Sequence, residues 1–152
     1  SFAAPGWMIN AQALKFFEDN GFVYTSNTRG VSPFFPVLDG RRFHILEIPS
    51  TLPTLDEAVG ITGIDPSTLC NSFLDKLTGG LNIITVHTEL EGKRWSGFLD
   101  NFIQITLQRG YTYRKLIDIA SYYLNEAPPP LCKIIYGQVE GRAGEVCLQQ
   151  KA

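Results

Sequence analysis

The length, composition and charge of the chain exclude several classes of protein. Its 152 residues, 44% of them hydrophobic, are enough for one domain with a core. The formal net charge of -2 and the pI near 5.6 provide no basic surface for a nucleic-acid backbone, so we exclude nucleic-acid binding. No apolar run approaches the roughly 18 residues that cross a bilayer, and no signal peptide is recognisable.

The first fifty residues predict one helix and two strands. Asn10 is a suitable N-cap for a helix that ends at Asn20-Gly21. The apolar face of this helix carries Leu14, Phe16 and Phe17. Strands are predicted over residues 22–24 and 43–48. Residues 31–42 contain too many turn-forming residues for a helix, and we expect an irregular loop or a hairpin there.

Two short helices are predicted next. Thr54-Leu55-Asp56-Glu57 has the form of a capping box and predicts a helix that reaches Val59. Asp65-Pro66 is a second helix start, and Gly79-Gly80 ends that helix. Its apolar stripe is formed by Leu69, Phe73 and Leu77, with Cys70 beside them.

Residues 81–92 are the most informative stretch. Residues 81–86 are mostly aliphatic and predict a strand that is apolar on both faces, as in a parallel sheet covered by helices. His87, Glu89 and Glu91 follow the last apolar residue. In α/β folds the catalytic and ligand-binding residues lie at the C-terminal ends of the strands. A lone histidine at such a place is more often structural than catalytic, so periodicity alone favours a hydrogen-bonded strand cap.

The last third of the chain predicts two amphipathic helices and one or two terminal strands, which are able to form a hairpin. The helices span residues 95–109 and 113–125, with a brief strand at Tyr111 between them. The tail predicts one or two strands, with a hairpin turn at Glu140-Gly141-Arg142. Strands that alternate with helices of this length indicate an α/β fold with a parallel sheet, or a piece of an α/β barrel.

The cysteines indicate the redox compartment of the protein, and the start of the chain indicates whether it is part of a longer protein. Cys70, Cys132 and Cys147 lie far apart, and their odd number argues against a disulfide framework, so a reducing compartment fits best. The chain begins at Ser1 without an initiator Met and enters a Pro5-Gly6 turn directly. We therefore expect residues 1–152 to form a single domain, or a fragment that is the back part of a longer protein.

Five blocks of sequence carry a resemblance to a known family. The blocks are residues 3–7 (AAPGW), 24–30 (YTSNTRG), 48–57 (IPSTLPTLDE), 86–92 (VHTELEG) and 141–144 (GRAG). In this order they resemble the C-terminal half of the bacterial deformylases that act on undecaprenyl-phosphate-linked deoxy-formamido-arabinose. Those deformylases are part of the NodB-homology polysaccharide deacetylase superfamily, and the match covers almost the whole chain.

The resemblance implies a fold and a reaction. The fold is the C-terminal part of an irregular (β/α) barrel, and the reaction is metal-dependent hydrolysis of a carbohydrate N-acyl amide. In the family, N-terminal motifs hold a divalent metal and supply the general base. Those motifs have no match here, so we expect no metal ligand in this chain, and we do not expect His44 to be one.

The late histidine of the family, which protonates the leaving amine, has its counterpart in His87. Imidazole suits this role because it exchanges its proton near neutral pH, whereas an amine anion is a poor leaving group. The implied substrate-binding residues are Pro5, Trp7, Asn27, Arg29 and Glu89. Trp7 is equally consistent with a wall for a sugar ring and with a core tryptophan.

Two positions depart from the family and leave a rival hypothesis open. The relatives carry an arginine in the block matching residues 3–8, and this arginine orients their general base. This chain has no arginine in that block, and Arg29, which lies elsewhere in the sequence, is a candidate replacement. The relatives also carry Asp at the position of Asn27. The rival is a degenerate domain of the same fold that binds a carbohydrate or a partner without hydrolysis. An unrelated α/β domain with a structural histidine is a third, weaker alternative.

The first hypothesis places the protein in the cytoplasm, with the inner face of the bacterial inner membrane as an alternative. Its substrate is a lipid-linked or cell-envelope amino sugar, and whether the carrier is undecaprenyl phosphate is left open. The isolated chain is expected to be inactive. Because half a barrel leaves strand edges and apolar faces uncovered, we expect a dimer or association with the missing N-terminal half.

Overall fold

The computed structural model describes residues 1–62 and 65–150, which divide into two units. Unit 1 comprises Ser1–Thr51, Arg114–Val139 and the described part of Gly144–Ala152. Unit 2 comprises the described part of Leu52–Tyr113 together with Glu140–Ala143. The helices are α1 (Ala11–Asp19), α2 (Leu55–Thr62), α3 (Pro66–Leu74), α4 (Ser96–Gln108) and α5 (Leu116–Asn125). The strands are β1 (Tyr24–Thr25), β2 (Phe35–Leu38), β3 (Arg41–Arg42), β4 (Leu46–Glu47), β5 (Leu131–Gly137) and β6 (Val146–Gln150).

Unit 1 contains all six of these strands. β1 pairs with β4 in parallel, and a four-stranded sheet has the order β3-β2-β5-β6. Within that sheet β2 and β5 are parallel, whereas the β2–β3 and β5–β6 pairs are antiparallel. The predicted terminal hairpin is confirmed, and the segment 31–42 forms a hairpin, one of the two predicted alternatives.

The core of unit 1 forms where α1 packs on the inward side chains of the sheet. Asn10 caps α1 as predicted, because its Oδ1 accepts a hydrogen bond from the Ala13 N–H at 2.9 Å. Leu14 and Phe17 are buried in this core, but Phe16 is 57% exposed, so its placement on the apolar face was wrong. At 100° per residue, position 16 points away from the face that positions 14 and 17 share.

Unit 2 is built on helices. The aromatic rings of Phe73, Phe98 and Phe102, from α3 and α4, pack with centroids 5.1 to 6.2 Å apart. The cap of α3 is confirmed, since Asp65 Oδ2 accepts from the Thr68 N–H at 2.7 Å. At α2 one half of the capping box forms: Glu57 Oε2 accepts from the Thr54 N–H at 3.0 Å, while Thr54 Oγ1 is buried without a hydrogen-bond partner.

The strand predicted over residues 81–86 does not form, and neither does the brief strand at Tyr111. The segment has no regular secondary structure and no strand ladder, although the Leu52 N–H donates to the Ile83 carbonyl at 3.0 Å. Ile83 is 9% exposed and Val86 is 47% exposed, so the apolar run is not buried on both faces. A strand needs a paired neighbour, and the strands of the described residues all belong to unit 1.

The fold class is confirmed in its coarser form. The chain is mixed α/β, with both parallel and antiparallel pairing. The barrel of the polysaccharide deacetylase type and the single-domain organisation stay predictions. Among the helices of the described residues, none is both long enough and apolar enough to cross a membrane.

Candidate functional site

His87 lies at the start of a helical turn in unit 2. Its carbonyl accepts hydrogen bonds from the Leu90 and Glu91 N–H groups, both at 3.0 Å, and a π-helical turn over Leu90–Arg94 leads into α4. The Glu91 side chain returns to the same residue, because Oε2 accepts from the His87 N–H at 2.8 Å. A carboxylate at this end of a helical segment satisfies a free backbone donor and interacts favourably with the helix dipole. The backbone of His87 is therefore held on both its N–H and its carbonyl side.

Two polar atoms of this turn have no hydrogen-bond partner among the residues that the structure describes. His87 Nδ1 and Glu91 Oε1 are both buried, and Glu91 as a whole is only 2% exposed. Most buried polar atoms in proteins are paired, so two orphaned atoms in one turn are unusual. By contrast, the neighbouring Glu89 is exposed and its carboxylate is accessible to a ligand. The sequence had placed an imidazole and carboxylates here, but on a strand end instead of a helical turn.

Trp7 closes a 3-10 turn at Pro5–Trp7 in unit 1. It is a non-glycine residue with a φ of +54°, a conformation that costs about 1 to 2 kcal/mol. Its indole Nε1–H donates to Ser50 Oγ at 3.2 Å, and the Arg29 guanidinium carbon is 4.8 Å from its ring centroid. Trp7 is 6% exposed, whereas Pro5 is exposed at the start of the turn. The ring is thus held by a hydrogen bond and a cation–π contact.

The backbone of Arg29 is held between two neighbouring segments. Its N–H donates to the Cys147 carbonyl at 2.9 Å, and its own carbonyl accepts from the Gln149 N–H at 2.8 Å. On the other side Arg29 forms a parallel bridge with Ser50. These pairings fix the guanidinium-bearing residue beside Trp7.

Glu47 is a buried carboxylate that the sequence interpretation missed. It has no exposed surface, and it accepts hydrogen bonds from Thr25 Oγ1 at 2.6 Å, Thr28 Oγ1 at 3.0 Å and the Asn27 backbone N–H. Burial raises the pKa of the Glu47 carboxyl above its ordinary value, while hydrogen bonds from these residues act in the opposite direction. The available signal was a single acidic residue within the apolar run of residues 45–48.

Asn27 joins Glu47 to the beginning of the chain. Its Nδ2 donates to Glu47 Oε2 at 3.3 Å, and its Oδ1 accepts from the Ala4 N–H at 2.9 Å. The side chain is fully buried. Asn27 therefore fixes the segment that precedes the Trp7 turn, and direct contact of its amide with a substrate stays a prediction.

The six predicted site residues are thus distributed over both units. Pro5, Trp7, Asn27 and Arg29 lie in unit 1, where they share one region. The remaining two, His87 and Glu89, lie in unit 2 on one turn.

The described residues do not fit the divalent metal that the resemblance implies. Over residues 1–62 and 65–150, no group of three or more His, Cys, Asp or Glu side chains is arranged to hold a metal ion. His44 is exposed, and its N–H donates to Glu18 Oε1 at 2.6 Å. No step of a reaction can therefore be derived through a metal from these residues.

The known proteins that are similar to this chain include two deformylases. The chain is 34% identical over 155 residues to the probable 4-deoxy-4-formamido-L-arabinose-phosphoundecaprenol deformylase ArnD of Wigglesworthia glossinidia brevipalpis, an alignment that covers 99% of the chain and 52% of that protein. It is 32% identical over 144 residues to the protein of the same name from Shewanella sediminis, covering 93% of the chain and 45% of that protein. No family model matches the chain.

These findings confirm the resemblance that the five sequence blocks indicated. Both relatives are similar along nearly all of this chain, and the chain spans about half the length of each. Almost the whole chain is therefore related to about half of each of these deformylases.

Proposed function

We propose that the chain is part of a hydrolase that removes the N-formyl group from a lipid-linked amino sugar, with His87 as the general acid. The observation that carries the proposal is the position of His87. It lies in one of the blocks that resemble the deformylases, and its backbone is held at the start of a helical turn by Glu91. The metal dependence and the irregular (β/α) barrel of the family are parts of this proposal.

The chemistry of formamide hydrolysis explains why an acid is needed at this place. Addition of water to the formyl carbon gives a tetrahedral intermediate. When its carbon–nitrogen bond breaks, the electron pair goes to the nitrogen, which must take up a proton to leave as an amine. His87 in its protonated form delivers that proton and becomes neutral, and the proton released by the attacking water restores the imidazolium. The products are formate and the free amino sugar.

The substrate-binding residues have different roles in this proposal. Glu89 is exposed and acts as a hydrogen-bond acceptor for sugar hydroxyl groups. Pro5 is exposed and provides apolar surface, whereas the buried Trp7 ring supports Arg29 through their cation–π contact. The guanidinium of Arg29 suits a phosphate group of a lipid carrier. Asn27 supports them indirectly, because its buried amide holds the Ala4 backbone.

The second candidate is a domain that binds a carbohydrate or a partner without hydrolysing it. The observation that favours it is the chemistry at position 27. A neutral amide stands there, with its donor occupied by Glu47 and its acceptor occupied by Ala4, and it cannot act as an acid or a base. This candidate predicts affinity for the amino sugar without release of formate.

The test uses the intact gene product and a synthetic lipid-linked formamido sugar, with formate release as the readout and binding measured in parallel. We expect His87→Ala to lower kcat by about 10²- to 10⁴-fold, the usual contribution of a general acid. His44→Ala is the matched control, because His44 is exposed in unit 1, and it should leave the rate unchanged. Full activity of His87→Ala would contradict the assigned role, and binding without formate release would favour the second candidate.

A further inference from the structure

Glu91 caps the helical turn with only one of its two carboxylate oxygens. One carboxylate oxygen, Oε2, is used by the His87 N–H at 2.8 Å. The other, Oε1, is buried and has no hydrogen-bond partner. A buried carboxylate oxygen without a donor is costly, and natural proteins keep such an atom chiefly where it has a partner in another state or a bound water.

The same turn contains the atom that can supply this donor. His87 Nδ1 is buried and has no hydrogen-bond partner either. An ionised carboxylate only accepts hydrogen bonds, whereas an imidazole nitrogen donates when it is protonated. Of the two orphaned atoms, one therefore needs a proton donor and the other can be that donor.

We propose that Glu91 is a positioning residue for His87, in that its Oε1 accepts a hydrogen bond from Nδ1–H and so orients the imidazole with Nε2 as its reactive nitrogen. The two atoms do not hydrogen-bond to each other in the structure, and the bond forms after a side-chain rotation. This inference rests on the proposed function, because it names the residue that prepares the general acid for its task.

The arrangement suits both protonation states that a general acid passes through. In the imidazolium both ring nitrogens carry a proton, so Nδ1–H needs an acceptor while Nε2–H faces the leaving amine. After proton transfer the ring is neutral, and the proton that remains is the one on Nδ1. Glu91 therefore accepts the same hydrogen bond before and after the step, and the ring does not have to change its tautomer or turn over.

The first experiment measures the tautomer of His87 directly. Nitrogen-15 NMR of the intact protein, labelled in the histidine rings and recorded at a pH where imidazole is neutral, distinguishes protonated from unprotonated ring nitrogens. The signals of His87 are assigned by their loss in His87→Ala. We expect Nδ1 to be protonated and Nε2 to be unprotonated, and the opposite tautomer in the unaltered protein would overturn the proposal without any variant.

Two variants of the same turn sharpen this test. Glu91→Gln keeps an oxygen for the His87 N–H but places an NH₂ group where Oε1 was, so we expect the tautomer to shift toward Nε2–H. Glu89→Gln is the matched control, because it removes the same charge from an exposed side chain two residues before Glu91. In this variant the tautomer of His87 should not change. An unchanged tautomer in Glu91→Gln, with the fold intact by circular dichroism, would also overturn the proposal.

Kinetics give an independent readout. In formate release by the intact protein, Glu91→Gln should lower kcat by about 10- to 100-fold with little change in KM, a smaller loss than removal of the imidazole itself. An equal kcat for Glu91→Gln and the unaltered protein would refute the positioning role. If the intact protein releases no formate at all, the proposed function fails, whereas the tautomer measurement still decides the role of Glu91.

Discussion

Replacement of Gly141 by alanine tests how the loop Glu140–Ala143 is held in unit 2. Gly141 has a φ of +80°, and a Cβ atom there would lie 2.3 Å from the Glu57 carbonyl oxygen and 3.0 Å from the carbonyl carbon. Next to it, Arg142 Nη1 lies 3.7 Å from Glu57 Oε1, whose carboxylate also caps α2. The loop can approach the helix this closely only because residue 141 has no side chain.

The expected loss of stability has two parts. A left-handed backbone conformation costs an alanine about 1 to 2 kcal/mol. The overlap with the backbone of Glu57 forces a shift of the loop, which costs about a further 1 to 3 kcal/mol by analogy with overpacked cores. Gly141→Ala should therefore lower the free energy of unfolding by about 2 to 5 kcal/mol.

Gly144→Ala is the matched control in the same hairpin connection. Its φ is +83°, but no atom of the described residues lies within 4 Å of a Cβ built there, so only the conformational cost of about 1 to 2 kcal/mol applies. Urea unfolding followed by circular dichroism and tryptophan fluorescence measures both variants. Equal losses for the two variants would refute the close approach at Glu57, because the clash is the only difference between them.

Three further predictions concern the charge network and the surface of unit 1. For Glu47→Gln, the stability of the unaltered protein relative to the variant should fall as pH rises through the raised pKa of Glu47, because the folded state binds that proton more tightly than the unfolded state. Urea unfolding at several pH values measures this difference in stability. A difference that rises with pH would contradict the prediction. Asn27→Asp should lower the free energy of unfolding by about 1 to 3 kcal/mol at pH 7 and by less at pH 4, because a second carboxyl beside the buried Glu47 must share a proton with it. A loss of stability that does not depend on pH, measured by the same urea unfolding, would argue against the contact between the two side chains. Because Ile117 and Tyr122 of α5 are 43% and 49% exposed, we expect the chain to dimerise in size-exclusion chromatography with light scattering, and a well-folded monomer would count against this.

The local elements of this protein are largely determined by its sequence. The caps at Asn10 and Asp65 and the half capping box at Glu57 form where they were predicted, because each involves residues only three apart. The helix predicted over residues 95–109 is α4, and the terminal hairpin forms around its glycine-rich turn. The five resemblance blocks were also sufficient to identify the related deformylases.

Other features depended on partners that are distant in the chain. Residues 81–86 had the composition of a buried strand, yet they form none, because a strand requires a hydrogen-bonded neighbour that local sequence cannot supply. Glu47 is buried because hydroxyl and amide donors from residues 25–28 surround it, about twenty positions earlier. For His87 the sequence predicted a polar residue at the end of a strand, where α/β folds place their catalytic residues. The helical turn and the buried carboxylate of Glu91 were visible only in the tertiary structure. Which polar atoms are buried, and which of them pair, is decided by packing and not by local pattern.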